Sequence, residues 1–431
     1  MPDNKSNFSK VLRFITAGSV DDGKSTLIGR LLFDAKAIFT DQINALANSK
    51  HKRIQGQAID FSLLTDGLEA EREQGITIDV AYRYFSTIKR KFIVADSPGH
   101  EQYTRNMVTG ASNSDCAVIL IDITRVNWME ENFELLNQTK RHSAIINLLG
   151  LQHIIIAVNK MDLVDFNQQA FDNVVNNYIQ LANKLNITAK LYFIPISALN
   201  GDNIVNSSQK MTWYNGQTLL SLLENIEVKL HNYDEQNTKF AVQYILRQDG
   251  TKIDNFRGYL GRIEGGTISK NQELYTPHLS KVTVKQIFDI NGNLMESARS
   301  ADNITLTLNE DMDISRGDIL SSDLPALHKN LHATVCWLDN IPSHSTKYLF
   351  KHTTSQIFAK ISNIHSILDI NTLEDSQVSE ELKCNDIAKI NIVLQKPLYL
   401  ETFKHNIFTG SFILIDEVSH RTVAAGFIDK L

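Results

Sequence analysis

The segment Gly18–Ser25 limits the possible folds of this chain more than any other part of the sequence. It reads GSVDDGKS and fits the pattern G-x-x-x-x-G-K-[ST] at every fixed position. The apolar run Val11–Ala17 precedes it, and the helix-compatible stretch Lys24–Phe33 follows it. In that context the glycines let backbone N–H groups curl round a phosphate, and the helix directs its positive end at the anion. We therefore predict a strand, a phosphate-binding loop and a helix in this order.

Two side chains of this loop have predicted chemical roles. Lys24 can reach the β- and γ-phosphate oxygens of a nucleotide, and the Ser25 hydroxyl can ligate Mg²⁺. The other positions contribute mainly backbone N–H groups. The candidate nucleotide-binding residues of the loop are Gly18, Ser19, Val20, Asp21, Asp22, Gly23, Lys24, Ser25 and Thr26.

A second motif follows the apolar run Lys91–Ala95 and consists of Asp96, Ser97, Pro98, Gly99 and His100. A carboxylate at Asp96 can hold Mg²⁺ through a water molecule, and Gly99 can offer its N–H to a γ-phosphate. By itself D-x-P-G is equally a simple turn, but after a phosphate-binding loop it indicates a γ-phosphate sensor. We assign His100 to orienting an attacking water.

Two further motifs indicate a guanine base. Asn159, Lys160, Met161 and Asp162 follow the apolar run Ile154–Val158. The carboxylate of Asp162 can accept both N1–H and N2–H of guanine, a pair of donors that adenine does not offer, so it would select GTP over ATP.

The second of these two motifs consists of Ser197, Ala198 and Leu199, after a further apolar run. It is expected to give a backbone N–H to the guanine O6. This short motif has no value alone, but its order in the chain is the one that the other three motifs predict.

Thr77 is the candidate for a mobile threonine that closes on Mg²⁺ when a γ-phosphate is present and releases it afterwards. It lies in the stretch QGITID at 74–79. The simpler interpretation of Thr77 is that it is a β-branched residue that begins a strand. The predicted Mg²⁺ ligands are therefore Ser25 and Thr77 directly and Asp96 through water.

The predicted reaction is attack of water on the γ-phosphate of GTP. Positioning and charge neutralisation do most of the catalysis in such reactions, so few side chains need to react. The candidate catalytic residues are His100, Lys24 and Thr77. Arg72 and Arg105 are near enough in sequence to supply an arginine finger, although a solvated surface arginine is the commoner outcome.

The alternation of apolar runs and helix-compatible stretches from Val11 to about Ile226 predicts an α/β domain with a doubly wound, mostly parallel sheet. Predicted strands are Val11–Ala17, Lys91–Ala95, Ala117–Ile121, Ile154–Val158 and Leu191–Ile194, and predicted helices are Lys24–Phe33, Gln102–Ala111, Phe133–Leu149, Gln168–Leu185 and Thr218–Lys229. After the polar stretch Leu230–Thr238, short alternating strands predict two small antiparallel β-barrels. We predict a nucleotide-binding domain at 1–232 and barrels at 239–328 and 331–431.

Composition excludes several other classes of protein. Acidic residues outnumber basic ones, 49 to 43, and the net charge is -6, which disfavours a protein that mainly grips nucleic acid. Cys116, Cys336 and Cys384 are far apart, so neither a zinc ribbon nor a disulfide framework is expected. No apolar run reaches the ~20 residues of a membrane span, and the N-terminus is polar. We expect a cytoplasmic protein without a nucleic-acid or membrane partner.

The motifs resemble those of the translation-factor superfamily of GTPases. The shared features are His100 after D-x-P-G, the stretch Tyr103–Ala111, the barrel segment Arg257–Gly266 (RGYLGRIEGG) and the segment Arg421–Gly426 (RTVAAG) near the end. The resemblance therefore runs from about residue 11 to the C-terminus, and it implies one GTP-binding domain followed by two barrels.

Longer matches resemble one branch, the GTPase subunit of bacterial sulfate adenylyltransferase. Elongation-type factors usually have a histidine where this chain has Asp22. The matching segments are 18–34, 66–87, 96–112, 159–165 and 313–320. The resemblance implies a heteromeric enzyme that makes adenosine 5′-phosphosulfate and pyrophosphate from ATP and sulfate, the first step of sulfate assimilation. It implies that a smaller subunit binds ATP and that this chain couples GTP hydrolysis to the uphill step.

The single phosphate loop agrees with that division of labour, because it leaves no obvious place for ATP. The chain ends at Leu431 without a second such loop, so a fused adenylyl-sulfate kinase is not expected. Two departures from the family pattern are Ser97, where threonine is more usual, and 123–138, which is longer and more acidic than the expected turn. The alternatives are an elongation-type GTPase that delivers charged tRNA, and a selenocysteine-type factor with an added winged-helix tail.

Overall fold

The computed structural model describes residues 11–37, 61, 79–228, 237–248, 256–343, 347–376 and 380–431. The chain forms two compact units. The first comprises Met1–Leu230 with Ile370–Leu373, and the second comprises His231–Asp369 with Glu374–Leu431.

The first unit contains a six-stranded sheet of order β2-β3-β1-β4-β5-β6. Its strands are β1 (Val11–Ala17), β2 (Ala81–Ser86), β3 (Lys91–Asp96), β4 (Cys116–Asp122), β5 (His153–Asn159) and β6 (Lys190–Pro195). All neighbouring pairs are parallel except β2 with β3, which are antiparallel. All seven residues of β4 are buried, as a strand covered on both faces requires.

Helices alternate with these strands. In the described part of this unit they are α1 (Lys24–Asp34), α2 (Thr104–Ser112), α3 (Asn137–Leu148), α4 (Gln168–Lys184) and α5 (Leu219–Asn225). Asn167 and Thr218 cap the starts of α4 and α5, because their side chains accept the N–H groups of Ala170 and Ser221. The predicted doubly wound α/β fold is confirmed.

Three elements of this unit differ from the prediction, and one of them is helix α5, which ends at Asn225, before its predicted limit at Lys229. Strand β2 was not predicted. It is an edge strand with exposed Tyr84 and buried Phe85, and the Phe85 ring stacks on Phe92 at 4.6 Å. Helix α3 begins at Asn137 rather than Phe133, because the preceding segment is a loop fixed to α4. Asn173 Nδ2 donates to the Trp128 carbonyl at 2.8 Å there.

The second unit contains two antiparallel sheets of seven strands each. Strands of the first are β7 (Lys239–Gln248), β8 (Phe256–Gly265), β10 (Glu273–Tyr275), β11 (Lys281–Phe288), β12 (Leu294–Met295), β14 (Asn303–Leu308) and β15 (Ile319–Ser321), and β9 (Thr267–Ser269) pairs separately with β13 (Ser297–Arg299). Strands of the second are β16 (Leu327–Trp337), β17 (Tyr348–His352), β18 (Ser355–Asp369), β19 (Glu374–Ser376), β20 (Ile387–Tyr399), β21 (Ser411–Asp416) and β22 (Thr422–Lys430).

Each of these sheets closes into a six-stranded barrel. In the first, β10 pairs with both β11 and β15, which joins the two ends of the sheet. In the second, β17 pairs with both β18 and β21. Strands β12 and β19 lie outside the closed rings. Each barrel has its own buried apolar core, with Tyr259 in the first and Trp337 in the second. The two predicted antiparallel barrels are confirmed.

In the described part of the chain, no helix is long and apolar enough to cross a membrane. The three cysteines are free thiols, and burial raises the pKa of Cys116 well above its usual range.

The carboxyl ends of four parallel strands bring the sequence motifs together. The phosphate-loop motif follows β1, Asp96 ends β3, Asn159 ends β5, and Ser197 lies two residues beyond β6. Parallel neighbouring strands end at the same edge of a sheet, which is where α/β domains bind ligands. The topology therefore places all four motifs at one edge.

Candidate nucleotide-binding site

The phosphate-loop motif Gly18–Ser25 has the backbone that its glycines predict. Asp21 and Gly23 have positive φ angles of 66° and 92°, and Gly23 is the N-cap of α1. A Cβ atom on Gly23 would lie only 2.5 Å from Asn159 Nδ2, so no larger residue fits without a shift. The Ser19 hydroxyl is buried and bonds to no described residue. A loop of this shape, in which the buried Ser19 hydroxyl has no hydrogen-bond partner among the described residues, fits an anion such as a phosphate.

Lys24 lies inside this loop. Its Nζ donates to the carbonyl oxygens of Gly18 and Ser19 at 3.0 and 2.7 Å. Burial lowers the pKa of Lys24, while the nearby carboxylates of Asp22 and Asp96 act to raise it. The ammonium is thus held at the centre of the loop, where phosphate oxygens would meet it.

The residues predicted to ligate Mg²⁺ meet beside the loop. Ser25 Oγ donates to Asp96 Oδ2 at 3.1 Å, and Thr16 Oγ1 donates to Asp96 Oδ1 at 3.3 Å. Ser97 Oγ donates to the Thr16 carbonyl at 2.6 Å and fixes the end of β3. Hydroxyl and carboxylate oxygens are the hard ligands that Mg²⁺ prefers, so these residues fit the ion. Thr77 lies outside the described residues.

Gly99 packs directly against the phosphate loop. A Cβ atom at this position would lie 2.5 Å from Lys24 Nζ and 2.8 Å from the Val20 nitrogen. Only a glycine therefore allows this contact between the second motif and the first. His100 follows it, and its ring is nearly perpendicular to that of Tyr103, with 6.3 Å between centroids. Of the two arginines considered for an arginine finger, Arg105 lies on α2 and Arg72 is outside the described residues.

Asn159 joins the phosphate loop to the base motifs. Its Nδ2 donates to the Asp22 carbonyl at 2.8 Å, and its Oδ1 accepts the Ala198 N–H at 2.9 Å. Ser197 is buried, and its Oγ accepts the Asn200 N–H at 3.2 Å. Because the Ala198 amide already donates to Asn159, the predicted contact of this motif with guanine O6 remains a prediction.

The remaining residues of the third motif lie in a short 3-10 turn. Lys160 has a left-handed backbone, with φ of 63°, and precedes the turn Met161–Val164. Asp162 is partly exposed, and its carboxylate accepts no hydrogen bond from a described residue. It is therefore free to accept donors from a ligand, as its predicted role requires.

Sequence reasoning noted the segment after β4 only as a departure from the family pattern and gave it no role in the site. Asp122 accepts from the N–H and Oγ1 of Thr124 at 2.9 and 2.7 Å, and its other oxygen pairs with Lys160 Nζ at 2.6 Å. Arg125 Nη1 donates to the Val20 carbonyl at 2.6 Å. This segment thus links the phosphate loop to the guanine motif. The only available signal was the position of Asp122 at the carboxyl end of a central strand.

Arg30 on α1 is a second residue that sequence reasoning missed. Its Nη1 donates to the Leu199 carbonyl at 3.3 Å, and its Nε pairs with Asp34 one turn later at 2.8 Å. The helix that begins at the phosphate loop therefore also supports the fourth motif.

Comparisons with known proteins agree with this geometry. The family model for the elongation factor Tu GTP-binding domain matches residues 9–237, and the model for the GTP-eEF1A C-terminal domain matches residues 330–429. Sulfate adenylyltransferase subunit 1 of Aliarcobacter butzleri is 46% identical over 425 residues, which are 97% of this chain and 87% of the relative. The chain belongs to the sulfate adenylyltransferase subunit 1 family.

Other members of the sulfate adenylyltransferase subunit 1 family are about equally similar. The proteins of that name from Cronobacter sakazakii and Bacteroides fragilis are 46% and 44% identical, over 97% and 99% of this chain and 86% and 87% of their own lengths. Membership confirms the predicted resemblance, and the elongation factor Tu-type domain makes the chain a GTPase. The alternative of an elongation-type factor is supported only at the level of the superfamily.

Proposed function

We propose that this chain binds GTP with Mg²⁺ and hydrolyses it as the GTPase subunit of a sulfate adenylyltransferase. The observation that best supports the proposal is the position of Asn159, which bonds to the phosphate loop at Asp22 and to the fourth motif at Ala198. A guanosine triphosphate has its phosphates and its base at opposite ends. Its binding site therefore needs the two loops to be fixed relative to each other.

The phosphate end of the site would supply charge neutralisation. Lys24 would bind the β- and γ-phosphate oxygens, and the backbone N–H groups of the loop would complete the cradle. Ser25, Thr77 and, through water, Asp96 would hold Mg²⁺, which supplies further neutralisation of the phosphate charge when bound. The short hydrogen-bond network around Asp96 supports this part of the proposal.

Hydrolysis requires a positioned water and a contact that reports the γ-phosphate. His100 would orient the water, and the Gly99 N–H would bond to the γ-phosphate. Gly99 lies against both Lys24 and Val20, so a group entering that space displaces the second motif from the first. Such a displacement gives the chain two arrangements, with GTP and without a γ-phosphate.

The base end of the site would select guanine. Asp162 would accept N1–H and N2–H, and the motif of Ser197, Ala198 and Leu199 would bond to O6. An adenine leaves the Asp162 carboxylate without a donor, which disfavours ATP by the cost of an unpaired polar group.

The partner would be a smaller subunit that binds ATP and transfers the adenylyl group to sulfate. The words "subunit 1" in the names of the relatives imply at least one other subunit. Formation of adenosine 5′-phosphosulfate is uphill, so GTP hydrolysis must change the affinity of a second site by way of a shape change. We place the complex in the cytoplasm, where both nucleotides are available.

The proposal is tested with the purified chain and the purified smaller subunit. The chain alone should hydrolyse GTP slowly and form no adenosine 5′-phosphosulfate. The mixture with ATP, sulfate, GTP and Mg²⁺ should form it, and Lys24→Ala should lose the part that depends on GTP. Synthesis by the chain without a second polypeptide would contradict the proposed division of labour.

A further inference from the structure

Asp22 is a residue of the phosphate loop, and its carboxylate is buried. It is 1% exposed. Its Oδ2 accepts the Ser19 N–H at 2.5 Å, while its Oδ1 is buried and accepts no hydrogen bond from a described residue. The loop thus already holds one buried negative group, bonded to one of its own backbone N–H groups.

Two cations face this carboxylate. Arg125 Nη1 lies 3.7 Å from Asp22 Oδ1 and also donates to the Val20 carbonyl at 2.6 Å. Lys24 is close enough to Asp22 for each group to affect the pKa of the other. In the absence of a nucleotide, Asp22 therefore partly neutralises the cations and occupies a backbone donor that phosphate oxygens need.

A bound phosphate would meet this carboxylate as a like charge in a buried setting. Repulsion between like charges is strong where water is excluded. The carboxylate also competes with the phosphates for Lys24 and the Ser19 N–H. Both effects favour the empty loop over the loaded one.

We propose that Asp22 weakens the hold of the phosphate loop on guanosine nucleotides and so speeds their release. The inference rests on the proposed function, since it requires that the loop binds GDP and GTP. Arg125 opposes the effect, because its guanidinium neutralises part of the Asp22 charge. Asp22 and Arg125 together thus set how fast the chain exchanges GDP for GTP.

The direct test is Asp22→Asn in the full chain, with a fluorescent GDP analogue and Mg²⁺ in a stopped-flow instrument. The amide oxygen can still accept the Ser19 N–H, so the loop keeps its shape while the charge is removed. We expect release to slow by about tenfold and affinity to rise by a similar factor. Asp172→Asn on α4 is the matched control with the same charge change outside the site, and it should leave release unchanged.

A second variant protects the test against a folding defect. Arg125→Gln leaves Asp22 in place but removes its neutralising cation, so release should become faster. The double variant should release as slowly as Asp22→Asn. Unchanged or faster release in a folded Asp22→Asn chain would overturn the inference alone. Failure of the unmodified chain to bind the GDP analogue would instead refute the proposed function, and the inference with it.

Discussion

Asn159 Nδ2 donates to the Asp22 carbonyl across 137 residues of sequence, at a distance of 2.8 Å. The same side chain accepts the Ala198 N–H, so one buried amide joins the first, third and fourth motifs. A Cβ atom at position 23 would collide with the Asn159 side chain, which explains why the loop needs glycine there. The geometry of the site therefore depends on the Asn159 side chain.

Replacement of Asn159 should damage both binding and stability. Asn159→Ala removes two hydrogen bonds and leaves the Asp22 carbonyl and the Ala198 amide without these partners, which should cost about 1–3 kcal/mol of unfolding free energy. GTP and GDP affinity should fall by at least about tenfold, because the two loops are no longer fixed relative to each other. Calorimetry and thermal unfolding measure the two effects.

Asn173→Ala is the matched control for this variant. Asn173 is also buried and also donates to a backbone carbonyl, that of Trp128, but it lies on α4 away from the motifs. It should lose stability and keep its affinity for GDP. Equal losses of affinity in the two variants would show that Asn159 has no special role in the site.

Gly99→Ala should separate hydrolysis from nucleotide binding. The added methyl would lie 2.5 Å from Lys24 Nζ, so the second motif must move away from the phosphate loop. GTP hydrolysis should slow by at least about tenfold, while GDP affinity changes by less than about threefold. Single-turnover hydrolysis and a GDP titration give the two values. A normal hydrolysis rate would remove Gly99 from the γ-phosphate contact.

Asp162→Asn should shift the base preference from guanine to xanthine. The amide can donate to the 2-carbonyl of xanthine, whereas it cannot accept both donors of guanine. Competition between GTP and xanthosine triphosphate for the variant measures the shift. Asp165→Asn is the control, since Asp165 is exposed and its positive φ of 53° tolerates asparagine. If both variants keep the original preference, Asp162 does not contact the base.

Release of GDP should depend on pH through Asp22. Burial raises the pKa of Asp22 to about 6, and Lys24, Arg125 and Asp122 are the charged groups that act on it. Protonation below that value removes the negative charge, so release should slow as the pH falls from about 7.5 to about 5.5. The phosphates of GDP also titrate in this range. The Asp22→Asn variant lacks the Asp22 titration, so the pH dependence of its release rate measures the contribution of GDP alone. A constant ratio of the two release rates over this range would contradict the assignment.

The sequence was sufficient to predict where the motifs meet, because that follows from a general property of parallel sheets. Asp96 and Asn159 lie at strand ends, and apolar runs marked those strands. The sequence was not sufficient for Arg125, whose bond to Val20 spans 105 residues and joins a side chain to a backbone carbonyl. No periodicity marks such a contact. Likewise, the first barrel closes through β10 and β15, which have three residues each and are too short to show a pattern.

The domain limits predicted at 1–232, 239–328 and 331–431 remain predictions. The barrels are two closed sheets within one compact unit, and buried Lys239 on β7 pairs with Glu401 beyond β20 at 3.0 Å. An ion pair between barrels is a contact between distant residues, which composition and strand patterns do not predict.

We propose that one site, selective for guanine and built on Lys24 and Asp162, binds the nucleotide. Isothermal titration calorimetry of the full chain with GTP and with ATP, each with Mg²⁺, tests it most directly. We expect one GTP per chain and an ATP affinity at least about a hundredfold lower, because adenine leaves Asp162 unpaired. Equal affinity for ATP and GTP would contradict it.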